Sequence, residues 1–105
     1  MFRIIKEAKG EDHGILAITG TIRTAALESH LTRLGLRPAT HDEIEPADAE
    51  ESPIALIAIG SKIQHPEHKH ETPSYFGYDK KGQKVHVIAT HGSLNPDIHI
   101  KVWAA

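Results

Sequence analysis

Three imidazoles and two carboxylates fall within seven residues at His65-Pro66-Glu67-His68-Lys69-His70-Glu71. Imidazole nitrogens ligate zinc, nickel and copper, so His65, His68 and His70 are the candidate metal ligands, with zinc or nickel the candidate cofactor. An extended chain puts His68 and His70 on one side, whereas a helix aligns His65 with His68. No single regular conformation presents all three, and Lys69 repels any cation held there. The spacing matches no zinc signature, which makes weak adventitious binding the simpler reading. His86, His91 and His99 form a second group, on or beside consecutive predicted strands. In some registers His86 and His99 would be cross-strand neighbours, although a solvated polar face is the preferred reading.

Other chemistries are excluded or lack their parts. With no cysteine there is no disulfide, thiolate metal site or cysteine nucleophile. Ser61 and Ser93 each follow a glycine, but neither sits in a Gly-x-Ser-x-Gly elbow. Gly14 and Gly20 have the wrong spacing for a phosphate loop, and no lysine follows Gly20. Tyr75, Phe76 and Tyr78 could stack bases on a sheet, yet the basic and glycine residues of the RNA-recognition signature are missing around them. Twelve basic against fourteen acidic residues leave a formal charge of −2. The lysines are scattered, so the concentrated basic face that duplex binding needs is not visible, and no nucleic-acid partner is expected.

Charge is concentrated elsewhere. Asp42, Glu43, Glu45, Asp48, Glu50 and Glu51 occur within ten residues that hold no basic side chain. Near helix N-termini such residues are favoured by the macrodipole. The functional alternative is a contact surface for a basic protein partner, with Glu43, Glu45, Glu50 and Glu51 as its candidate residues. Nine histidines would move the formal charge from −2 to +7 if all were protonated. The surface field therefore depends strongly on pH near 6.5.

The elements that must position these residues follow from hydropathy periodicity. Phe2 to Ala8 and Ile15 to Thr19 read as strands around a Gly10–Gly14 turn. Leu27, Leu31 and Leu34 make one stripe of a helix that starts near Thr21 or Thr24. Gly35 suits the left-handed position past its end, and Pro38 prevents continuation. Thr40-His41-Asp42-Glu43 has capping-box spacing, with Pro46 limiting the new helix to a turn or two or restarting it. Ile54 to Ile59 is apolar on both parities, as a central strand covered on both sides would be, and Gly60 ends it. Ser74–Tyr78, an Asp79–Gly82 turn and Gln83–Thr90 read as a hairpin. A last strand alternates Ile98, Ile100 and Val102 with His99, Lys101 and Trp103.

The segment Leu34-Gly35-Leu36-Arg37-Pro38-Ala39-Thr40-His41-Asp42-Glu43-Ile44, followed by Ile57-Ala58-Ile59-Gly60-Ser61, resembles a group of small bacterial proteins with no known activity. Their shared pattern is G-[FY]-R-P-A-T-x-x-E-L and then I-V-A-L-G-S. The likeness spans about residues 31–105 and includes a short apolar tail like Val102–Ala105. It implies the same order of elements and no activity. The stretch Gln64–Thr72 departs from the pattern, so any function housed there would be particular to this protein. The motif reads as punctuation: Arg37 and Pro38 end one helix, Thr40 caps the next, and Gly60 frees the chain to turn.

These readings predict one α+β domain over residues 1–105: an antiparallel sheet with a C-terminal meander and one or two N-terminal helices packed on it. The longest apolar run is far short of the roughly 20 residues that span a bilayer. The N-terminus is charged too early for a signal peptide, so a cytoplasmic protein without a membrane partner is expected. The expected function is a non-enzymatic interaction module that binds another macromolecule, a protein in the first instance. The alternative is a His-rich metal- or pH-responsive binding protein, and a small Ser/His hydrolase comes third.

Overall fold

The computed structural model describes residues 2–52, 54–63, 74–88, 93–94 and 97–105. The histidine cluster at 65–70 and His91 lie outside them. The protein is a small α+β fold with a mostly antiparallel sheet. Strands β1 (Phe2–Lys6), β2 (Gly14–Ile18), β3 (Ile22–Arg23), β4 (Leu36–Pro38), β5 (Leu56–Ile63), β6 (Ser74–Tyr78), β7 (Lys84–Ile88), β8 (Ser93–Leu94) and β9 (His99–Ala104) accompany one helix, α1 (Thr24–Arg33). The sheet order is β1-β2-β9-β5-β6-β7, with β4 also pairing β9, and β3 and β8 form a separate two-stranded clip.

The last strand corrects the expected meander. β7 pairs with β6 alone, while β9 crosses back to lie between β2, antiparallel, and β5, parallel. Burial accounts for this: Ile100 and Val102 on one side of β9 and His99 and Lys101 on the other are all nearly inaccessible. A strand covered on both faces belongs in a sheet's interior, not at its edge. His86 on β7 and His99 on β9 are therefore separated by two intervening strands, β5 and β6, and are not cross-strand neighbours.

Each face of the sheet has its own cover. On the first, Leu16, Ile18, Ile57, Ile59, Ile100 and Val102 pack with Leu27 and Leu31 of α1. The stripe stops there, since Leu34 is 55% exposed. It follows the helical residues, and Gly35 at φ +71° turns the chain away immediately after it. On the second face, Ile15, Leu56, Ala58 and Phe76 pack with Ile44 and Ala49. Those two come from the segment begun at Thr40, which forms two short 3₁₀ turns, His41–Glu43 and Pro46–Glu51.

Pro38 does not merely stop a helix. Leu36–Pro38 pairs antiparallel with Val102–Ala104, filling the place beside β9 that β5 vacates after Ile57. Gly60 does not end β5, which runs on to Ile63. It instead lets Ala39 approach: a Cβ on Gly60 would lie 2.7 Å from the carbonyl oxygens of both Pro38 and Ala39.

Candidate interaction surfaces

An apolar groove opens beside β1, the edge strand at one end of the sheet. Phe2, Ile4, Leu34, Leu36, Val102 and Ala104 line a volume of about 310 Å³. Phe2 and Ile4 pair with Ile18 and Leu16, so they share the face that α1 covers. The helix reaches Phe2, whose ring meets His30 edge-on at 6.4 Å, but Ile4 is left 66% exposed. A shallower depression continues past Phe2 and Leu34 to His30 and Arg33, the basic residues of the last helical turn. Reading the sequence for periodicity assigns Leu34 to the core. Its exposure becomes apparent only once the helix end and the sheet edge are both placed.

The acidic segment is tied to the sheet chiefly through Glu43 and Asp48, while Asp42, Glu45, Glu50 and Glu51 are exposed. Glu43 accepts hydrogen bonds from both Arg37 nitrogens, at 2.9 and 3.0 Å, and from the Thr40 amide and hydroxyl. Arg37 foremost, with Thr40 assisting, holds its carboxyl down to about 2. Asp48 accepts from the Glu45 amide at 2.8 Å and from Lys101 Nζ at 2.7 Å. Lys101 is 4% exposed and also donates to the Glu43 carbonyl. Glu51 pairs with Lys6 at 2.7 Å. A bulge between Ile4 and Lys6 makes this possible, because it sets Lys6 opposite Ile15, on the face where the segment lies. Of the four glutamates read as a partner surface, Glu43 and Glu51 thus have intramolecular partners. Glu45 and Glu50 are exposed.

Two histidines meet this segment from below. His99 Nδ1 lies 2.8 Å from Ser52 Oγ. The pair resembles a nucleophile and base that the sequence reading missed, because 47 residues separate them. Both are sealed, at 1% and 4% exposure, so substrate has no path to the hydroxyl. The contact joins the segment to β9. His13 Nε2 lies 3.7 Å from Glu51, with its ring edge-on to Trp103. Burial lowers both imidazoles' affinity for a proton. Lys6 and Lys101 add to the effect at His13 against Asp48 and Glu51, and Arg3 adds to it at His99 against Asp97.

The remaining sequence candidates stay dispersed. Ser61 Oγ accepts from the His41 amide at 3.3 Å, a structural contact. Ser93 sits in the β3–β8 clip. Among the described residues no three His, Asp or Glu side chains converge as a metal site. None of the described helices is long and apolar enough to cross a membrane. No family model, curated protein or solved structure matches the chain.

Proposed function

We propose that the protein is a non-enzymatic interaction module of the cytoplasm that binds another protein through the groove beside β1. The observation that carries this reading is the pairing of Ile4 and Leu34, two large apolar side chains left in water on either side of an apolar groove at a sheet edge. Burying such side chains is favourable by about 25 cal/mol per Å² of apolar surface. An apolar side chain of the partner fits the groove, and a partner strand can pair with the free edge of β1. Arg33 and His30 at one end favour a partner that carries acidic residues next to its apolar anchor.

The acidic segment is the lesser candidate, since Arg37, Lys101 and Lys6 already neutralise Glu43, Asp48 and Glu51, although Asp42, Glu45 and Glu50 stay exposed. The experiment is capture of co-purifying protein from the source cell by wild type, by Ile4→Asp and by the pair Glu45→Gln/Glu50→Gln. The groove reading expects one partner to be lost with Ile4→Asp and kept with the glutamine pair. Retention by Ile4→Asp would overturn it, and loss with the glutamine pair alone would move the contact to the acidic segment.

A further inference from the structure

The segment Pro46–Ser52 lies on the sheet with little apolar anchorage. Ala49 is its one buried apolar side chain. The rest of its hold is polar: Asp48 to Lys101, Glu51 to Lys6, and Ser52 to His99, with the His13 ring 3.7 Å from Glu51. Two of these four sheet-side partners are imidazoles, residues whose charge changes near neutral pH. Both are enclosed, with charges of both signs around them. His13 faces Lys6 from β1, Lys101 and the Trp103 ring from β9, and Asp48 and Glu51 from the segment itself. His99 faces Arg3 from β1, Asp97 from its own chain and Ser52 from the segment.

We infer that Pro46–Ser52 is an acid-released strap, closed over the sheet while His13 and His99 are neutral and freed when they take up protons. Protonating either ring in place puts a positive charge where water does not hydrate it, a cost that outweighs the attraction of Asp48 and Glu51 at His13 and of Asp97 at His99. Lifting the strap returns the rings to water, where that charge is hydrated. The sign follows from linkage. A histidine that binds its proton more weakly closed than open favours closure above its ordinary value of 6.5, and that preference is lost as pH falls below it. The core under α1 is a separate apolar cluster with no residue from the strap, so it can persist while the strap opens. Opening uncovers Ile15 and Leu56, an apolar surface distinct from the groove beside β1.

Amide hydrogen exchange, corrected for the intrinsic rate at each pH, reads the opening directly. Between about pH 7.5 and about pH 5.5, one histidine kept neutral by closure accelerates strap exchange about tenfold, and two accelerate it further. Amides of α1, β2 and β5 should keep their protection. Trp103, the chain's single tryptophan and His13's ring neighbour, should change fluorescence over the same range. The double variant His13→Phe/His99→Gln should lose the pH dependence. Persistence of that dependence would overturn the inference, as would loss of protection everywhere together. If the double variant does not fold, wild-type histidine NMR decides. The His13 and His99 rings should titrate at the midpoint of strap exchange, and titration with the strap still protected would refute the latch.

Discussion

The Gly60 amide donates to the Ala39 carbonyl at 2.8 Å. That bond joins the two stretches that form the chain's most distinctive sequence pattern, Arg37-Pro38-Ala39-Thr40 and Ile57-Ala58-Ile59-Gly60-Ser61. It is flanked by the Ala39 amide to the Lys101 carbonyl at 3.0 Å and by the His41 amide to Ser61 Oγ. Here β5 separates from β9 and β4 takes its place, so backbone groups that would lose their sheet partners find new ones.

Gly60→Ala should destabilise the fold by about 1–3 kcal/mol, because the new methyl meets two backbone carbonyls rather than yielding side chains. Urea denaturation measures it. An unchanged midpoint would show that the two stretches separate without cost.

The helix stripe should divide sharply. Leu31→Ala should cost about 2–5 kcal/mol, as expected for a leucine fully enclosed in a core. Leu34→Ala should stay within about 0.5 kcal/mol, since its side chain already meets water. Equal costs at both positions would contradict the placement of the helix end.

Lys101 and Asp48 form the most enclosed ion pair among the described residues. Removing one partner strands the other, so Asp48→Ala and Lys101→Met should each cost about 3–5 kcal/mol. Asp48→Ala/Lys101→Met should cost less than their sum, because no lone charge remains buried. A double-mutant cycle provides the coupling, and strict additivity would show that the charges do not interact.

Glu43 should make stability fall with acid. Its carboxyl titrates near 2 in the folded chain against an ordinary 4.5. The resulting stabilisation is complete above 4.5 and disappears as pH drops toward 2. Thermal melts at about pH 5 and about pH 3 should therefore differ more for wild type than for Arg37→Gln. The same loss in both proteins would place the acid sensitivity elsewhere.

Local order was legible in the residues, because local order depends on near neighbours. The spacing of Leu27 and Leu31 marks α1, and the two apolar segments Phe2–Ala8 and Ile15–Thr19 around the Gly10–Gly14 turn mark a pair of strands. Asp79 and Gly82 mark the turn before β7: the Asp79 carboxylate accepts from the Lys81 and Gln83 amides, and Gly82 takes φ +77°. The apolar Leu56–Ile59 announces a strand covered on both sides, which the two clusters on its faces provide.

Tertiary structure alone decided where β9 lies. His99-Ile100-Lys101-Val102-Trp103 alternates like a strand with one wet face, and a short turn would place such a strand beside β7. It becomes a central strand because the acidic segment, some fifty residues away in sequence, brings Asp48, Ser52 and the Glu43 carbonyl to its polar side chains. Polar groups that find partners can be buried, and a pattern of residue types does not reveal which distant partner will arrive. The same pairing makes the chain's most acidic stretch the cover of the sheet, with Asp42, Glu45, Glu50 and Glu51 still exposed. The fold also left Ile4 and Leu34 exposed at the apolar groove beside β1.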